Sequence, residues 1–349
     1  MTGESDDKHQ QYMQRCLDLA RLGSPDVRTN PLVGCCIVYG DRIIGEGFHH
    51  KFGGPHAEVN AFKSVVEDDK HLIPDSTLYV TLEPCNHHGK TPPCTERILD
   101  EKIKHVVIGM TEINDEADGG VTVLRRSGVS VQTDILGEDA RTLNRHWTNT
   151  LQQGRPFITL KWAESADGFI GKSSSQVPLS NNTTQLFTHD LRRKHNAILV
   201  GAETARVDNP SLTTRVVPGN NPLRIILSGA GDFNDNLKLF QDDQSVLITR
   251  TNTSIKNSGK LIEYIDFQSD TIDILELCQR LVSDYDIGFL LIEGGATVLQ
   301  QFIDRELWDS CYRISTPHLL KEGIRAPKLS GIPSQHFQLS EDQILKYER

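Results

Sequence analysis

Apolar positions recur at helical spacing over residues 9–22, where Met13, Cys16, Leu17 and Ala20 share one face and Gly23 stops the run. A polar loop, SPDVRTNP, follows. GCCIVY and RIIGEGF then flank Gly40-Asp41, which predicts a β-hairpin. The pattern next predicts a helix over 56–66, a strand over TLYVTL (77–82), a helix over 94–101 and a strand over HVVIGM (105–110). A short helix near 121–127, a strand near 129–133 and a helix over 138–147 complete the order. Alternation of this kind describes a sheet with helices on its faces.

The periodicity lapses around TNTLQQGRP (148–156), where Gly154 and Pro156 appear, and a linker is expected there. A new series of strands begins at FITLKWA (157–163) and continues with NAILVG (196–201), LRIIL (223–227), SVLIT (245–249) and FLLIE (289–293). Helices are predicted over 182–195, 273–283 and 296–304. The expected organisation is therefore two α/β domains, residues 1–150 and 151–349, with no internal repeat. A near-match to a dinucleotide-binding fingerprint, Gly229-Ala230-Gly231-Asp232-Phe233-Asn234, follows LRIIL. Its third glycine is Asn, and DNLKLF is too short and polar for the helix such a motif opens, so it reads as a turn.

Composition supports this organisation. The chain has 349 residues, long enough for two domains, with 37% hydrophobic and 24% charged residues, enough for two cores. Its formal net charge is −10, and both halves are acidic: residues 1–150 carry 16 Lys+Arg against 23 Asp+Glu, the rest 21 against 24. Neither half offers the basic footprint of a nucleic-acid binder. No apolar run approaches the ~20 residues of a membrane span. The opening MTGESDDKHQ is polar and acidic, so no signal peptide is expected. Seven unevenly spaced cysteines suit a reduced, cytoplasmic protein. Cys16, Cys35, Cys36, Cys278 and Cys311 read as packing residues.

The remaining cysteines belong to a chemical constellation: His56-Ala57-Glu58, Pro84-Cys85 and Cys94. One His and two Cys fill three corners of a zinc tetrahedron and leave the fourth for water, whose pKa zinc lowers to ~7. In the first turn of a helix, His56 and Glu58 can both reach a site beyond the helix end. Glu58 would then carry the proton from water to a leaving amine without ligating the metal. A helical start after Cys85 would favour its thiolate through the helix dipole. A structural zinc site is the alternative, with His87 or His88 as fourth ligand. Eight residues, NHHGKTPP, separate Cys85 from Cys94, where nucleobase deaminases usually have two.

Three segments, Asn30-Pro31-Leu32-Val33-Gly34, GEGFHHKFGGPHAE (45–58) and TLEPCNHHGKTPPC (81–94), resemble the deaminase half of the bifunctional riboflavin-biosynthesis deaminase/reductases. LKWAESADGFIG (160–171), GAETARVDNPSLTTR (201–215) and FLLIEGGATVLQQFI (289–303) resemble the reductase half of the same family, so the likeness spans most of the chain. The resemblance implies a cytidine-deaminase-like three-layer domain followed by a dihydrofolate-reductase-like α/β domain. It implies Zn²⁺ on His56, Cys85 and Cys94 with Glu58 as proton shuttle, and Asn30, His49, Lys90 and Asn114 as deaminase substrate contacts. The implied first substrate is 2,5-diamino-6-ribosylamino-4(3H)-pyrimidinone 5′-phosphate, which loses its 2-amino group.

For the reductase half the resemblance implies NADPH on Ala163, Thr204, Asp208 and the stretch opening with Gly295, Ala296 and Thr297. Leu212, Arg192, Arg215 and Glu293 are the implied substrate contacts, and Lys161 is the further polar group of that pocket. Two arginines suit a phosphate, and Lys161 or Glu293 could supply the proton that accompanies hydride addition. Two stretches depart from the family pattern: Glu112-Ile113-Asn114 replaces Asp-Pro-Asn, and Pro178-Leu179-Ser180 replaces Trp-Ile/Leu-Thr/Ser. The expected partner is a small pyrimidine ribose phosphate, with no nucleic acid or membrane, and the enzyme is expected to be a homo-oligomer. Two other readings remain: a deaminase acting on a nucleoside or tRNA, and a zinc-stabilised binding protein.

Overall fold

GCCIVY is apolar on both faces, which suits a strand covered by helices on either side. In the computed structural model, which describes residues 3–88, 92–113, 119–173, 176–251 and 261–349, it is an interior strand. The chain divides into two units, Met1–Gln153 and Gly154–Arg349.

The first unit runs α1 (Gly3–Arg21), β1 (Gly34–Tyr39), β2 (Arg42–Phe48), α2 (Ala57–Ser64), β3 (Thr77–Leu82), α3 (Cys94–Asp100), β4 (His105–Met110), α4 (Gly120–Arg126), β5 (Ser130–Gln132), α5 (Gly137–Leu143) and α6 (Arg145–Gln153). Among the described residues it holds a five-stranded sheet in the order β2-β1-β3-β4-β5. The hairpin β1–β2 pairs antiparallel with the Gly34–Phe48 to Tyr39–Arg42 register; β3, β4 and β5 run parallel. Side chains of β1 alternate between two cores. Cys35 and Ile37 pack with Ala61, Phe62 and Ile98, while Cys36 and Val38 pack with Met13, Cys16 and Leu19 of α1. Three layers result. The expected helix over 138–147 is two helices that break at Asn144, and α6 runs through most of the expected linker. His146, Trp147 and Asn149 are buried, so this helix belongs to the first unit's packing, and the boundary between the units falls inside the expected linker, after Gln153.

The second unit runs β6 (Phe157–Glu164), β7 (Phe169–Gly171), α7 (Asn182–Arg193), β8 (Ala197–Gly201), α8 (Ala202–Asp208), β9 (Leu223–Leu227), β10 (Val246–Thr251), β11 (Ile262–Phe267), α9 (Ile274–Ser283), β12 (Phe289–Gly294), α10 (Ala296–Asp304), β13 (Ser310–Ser315), β14 (Ile324–Arg325), β15 (Gln335–Leu339) and β16 (Asp342–Glu348). Among the described residues its main sheet has nine strands in the order β11-β10-β9-β8-β12-β6-β13-β16-β15. The strands from β11 to β13 are parallel, and the β15–β16 hairpin adds antiparallel to β13. The inner parallel strands β8 and β12 are buried on both faces, which explains their unbroken apolar sequences. Residues 229–231 form no helix, in agreement with the turn expected there. Strands β7, β11, β13, β14, β15 and β16 were not foreseen. The edge strand β15 buries none of its side chains fully, so its sequence carries little apolar signal. Among the described residues, no helix is long and apolar enough to cross a membrane.

Candidate active sites

Helix α2 starts where His56, with extended backbone, gives way to the Ala57–Ser64 run, and Glu58 falls in its first turn. Helix α3 starts at Cys94, after Pro93. Cys85 lies in the loop after β3. These three local features bring His56, Cys85 and Cys94 together, with their ligand atoms within 4.8 Å of one another. The Nδ1 of His56 lies 3.3 Å from Cys94 Sγ and 3.5 Å from Cys85 Sγ. Cys85 does not begin a helix, contrary to the dipole argument from sequence. The backbone N–H of Cys94, first residue of α3, donates to Cys85 Sγ instead at 3.4 Å. The hydrogen bond with Cys94 and the His56 contact bring the Cys85 thiol down to about 4 against the effect of burial. One nitrogen and two sulfurs converging from preformed elements form a donor set suited to zinc.

Neither histidine of the intercysteine loop joins that set. His88 is largely exposed and sits 3.5 Å from Glu96, while His87 lines the adjoining cavity. The set therefore has three protein ligands beside a cavity of about 240 Å³ lined by His56, Glu58, Cys85, Asn30, His49 and Trp147, among others. Glu58 is only 3% exposed, and burial raises its pKa above the ordinary carboxylate value. Such a carboxyl is suited to taking up and returning a proton.

Asn30 and His49 meet in this cavity. His49 Nδ1 lies 3.0 Å from the Pro55 carbonyl, which only accepts, so Nδ1 carries the proton. Its Nε2 then accepts from Asn30 Nδ2 at 3.0 Å. Burial lowers the pKa of the ring, leaving a neutral imidazole with both nitrogens engaged. His49 thus lines the cavity and holds the Asn30 side chain there. Lys90 and Asn114 lie outside the described residues. Glu83 and Trp147 also line the cavity and were missed, since nothing in their local sequence distinguishes them from core residues.

In the second unit a cavity of about 660 Å³ is lined by Lys161, Ala163, Thr204, Asp208 and Glu293 together with Gly295, Ala296 and Thr297. Gly294 has φ 136°, a conformation side chains disfavour, and a Cβ on Gly295 would come within 2.9 Å of Thr204 Oγ1. The N-terminus of α10 thus opens onto the cavity with bare backbone, which suits the phosphates of a nicotinamide cofactor. Leu179 and Ser180 of the departing segment also line it.

Three of the expected substrate contacts, Arg192, Leu212 and Arg215, do not line this cavity. The Arg192 guanidinium donates to both Glu293 carboxylate oxygens, at 2.7 and 2.8 Å, and to the Thr213 carbonyl at 3.1 Å. Three of its five N–H groups are thereby engaged. Burial opposes the charge on Glu293, but the Arg192 guanidinium and the Lys161 ammonium outweigh it and hold the carboxyl down to about 2. Glu293 is therefore ionised at neutral pH and is no proton donor. It does not cap α10 either, since Gly295 occupies the N-cap. Leu212 has φ 52° and buries its side chain in the core beside Val200, Ile226 and Ile248. Arg215 is exposed and does not line the cavity. No local pattern pairs Arg192 with Glu293, because 101 residues separate them.

A zinc-type donor set in a deaminase fold, joined to a unit with an open nicotinamide-type cleft, defines a two-domain deaminase and reductase. Residues 6–110 match the cytidine and deoxycytidylate deaminase zinc-binding region, and residues 156–347 match the RibD C-terminal domain, which is dihydrofolate-reductase-like. The chain belongs to the RibD family of bifunctional riboflavin-biosynthesis proteins, whose deaminase domain binds zinc and whose reductase domain uses a nicotinamide cofactor. It is 34% identical over 320 residues to riboflavin biosynthesis protein RibD of Aquifex aeolicus, covering 90% of this chain and 88% of the relative. It is 33% identical over 340 residues to RibD of Bacillus amyloliquefaciens, covering 95% and 90%. Among solved structures it is similar to a diaminohydroxyphosphoribosylaminopyrimidine deaminase/5-amino-6-(5-phosphoribosylamino)uracil reductase from Thermotoga maritima, with TM-score 0.89, 31% identity and 99% of each chain covered.

Proposed function

We propose that residues 1–150 deaminate 2,5-diamino-6-ribosylamino-4(3H)-pyrimidinone 5′-phosphate and that residues 151–349 then reduce the ribosyl side chain to ribityl with NADPH. The observation that carries the first reaction is the convergence of His56, Cys85, Cys94 and Glu58 on one cavity. His56, Cys85 and Cys94 would hold zinc, which supplies a Lewis acid that makes water nucleophilic at neutral pH. Asn30, oriented by His49, presents its amide to the pyrimidine edge. Glu58 accepts a proton from the attacking water and returns it to the amine. A C–O bond forms, the C–N bond breaks, and ammonia leaves.

In the reductase half, hydride addition to the open imine needs one proton. Burial lowers the pKa of Lys161 below the ordinary lysine value, and the neighbouring Arg192 adds to this while Glu293 opposes it. With Glu293 held ionised, Lys161, which lines the same cavity, would supply that proton. Thr204, Asp208 and the Gly295–Thr297 backbone would bind and orient NADPH. Arg215 remains available for the substrate phosphate. The reading extends to a cytoplasmic homo-oligomer whose partner is a small molecule, consistent with the chain's net charge of −10.

Incubation of zinc-loaded protein with the diaminopyrimidinone, with and without NADPH, tests this. Ammonia release in both arms and a ribityl product only with NADPH are expected. Release of ammonia from cytidine or tRNA instead would overturn the substrate assignment.

A further inference from the structure

The residues that complete the deaminase cavity extend beyond the zinc-binding region matched at 6–110. Asn144, fully buried at the break between α5 and α6, brackets Leu32. Its Oδ1 accepts from the Leu32 N–H at 2.7 Å, and its Nδ2 donates to the Leu32 carbonyl at 3.1 Å. His146, 1% exposed, places Nε2 2.9 Å from the Asn30 carbonyl. A carbonyl only accepts, so Nε2 carries the proton and donates. Burial lowers the ring's pKa to about 4, so His146 is neutral at physiological pH. Trp147, the next residue, lines the cavity and packs against Leu82, Met110 and Ala140.

One short turn therefore grips the carbonyls of residues 30 and 32 and supplies part of the cavity wall. Asn30 is held twice, its backbone by His146 and its side-chain amide by His49. That leaves its Oδ1 and a second Nδ2 proton as the groups that can address a ligand. We propose that Asn144 and His146 are positioning residues for the deaminase: they set where the Asn30 amide meets the pyrimidine edge, and so govern substrate recognition from outside the shared zinc core. This inference rests on the deaminase reading above.

The test uses the full-length, zinc-loaded protein and its own second activity as control. His146→Phe keeps the ring volume and removes the donor, whereas His146→Gln replaces Nε2–H with an amide N–H. Ammonia release from the diaminopyrimidinone gives kcat and KM, and zinc content and NADPH-dependent turnover of the deaminated product are measured on the same samples. Loss of a buried hydrogen bond should lower kcat/KM about tenfold in His146→Phe, chiefly through KM. His146→Gln should recover most of it, with zinc and reductase turnover unchanged in both. Asn144→Asp retains the acceptor for Leu32 N–H and sets a carboxylate against the Leu32 carbonyl, so it too should raise KM. It decides the matter if His146→Phe does not fold. A wild-type KM in His146→Phe or in Asn144→Asp overturns the proposal, and so do equal losses in His146→Phe and His146→Gln. Absence of ammonia release by the wild-type protein overturns the deaminase reading itself, and this proposal with it.

Discussion

The Arg192–Glu293 pair gives the sharpest test of how the reductase cavity is built. Glu293→Gln preserves shape and removes the charge. The two side chains are 11% and 8% exposed, so solvent screens the pair little. The fall of the Glu293 carboxyl from an ordinary 4.5 to about 2 corresponds to about 3 kcal/mol at neutral pH. Removing one partner of a buried ion pair typically costs ~3–5 kcal/mol, because the other charge is left uncompensated, and the two routes agree. For a domain of this size ~3 kcal/mol lowers the thermal midpoint by roughly 6–12 °C. Because the folded pKa is depressed, the stabilisation is fully present above about 4.5 and is lost as pH falls through about 2. The gap between wild type and variant should therefore be constant near neutrality and close under acid. Calorimetry with NADPH turnover on the same samples measures both consequences, and ammonia release reports that the first unit is intact. An unchanged midpoint near neutral pH would refute the claim that this pair organises the cavity.

Further outcomes are expected. Glu58→Gln should retain zinc by elemental analysis yet lose ammonia release by ~10²–10⁴-fold, the usual weight of general acid–base catalysis; wild-type-like release would remove Glu58 from the reaction. Cys85→Ala and Cys94→Ala should each lose bound zinc, and full retention in both would show that the metal sits elsewhere. Lys161→Met should lose reduction by a similar ~10²–10⁴-fold while still quenching with NADPH in a fluorescence titration. In the wild type, the alkaline limb of the reductase rate should fall below the ordinary lysine value, as the lowered Lys161 pKa requires. A fragment beginning at Gly154 should fold alone, since it has its own core of β6, β8, β12 and α9 side chains; a far-UV signal without cooperative melting would contradict that.

Local chemistry was legible in the sequence because local rules produce it. The hairpin at Gly40-Asp41, the parallel strands with unbroken apolar runs and the helix after FLLIEGG all follow from patterns shorter than a dozen residues. The zinc donor set was legible for the same reason. His56 and Cys94 each stand at a helix start and Cys85 just past a strand, so their directions are set by backbone geometry within a few residues. What only the tertiary structure decided involves partners far apart in the chain. His49 engages the Asn30 side-chain amide, 19 residues away. Arg192 pairs with Glu293, 101 residues away. His146 reaches the Asn30 carbonyl across 116 residues. A charged or polar side chain keeps the same sequence signature whether it faces water, a ligand or a buried partner. Its role is settled by which desolvated group the fold sets beside it, because burial makes that pairing energetically obligatory.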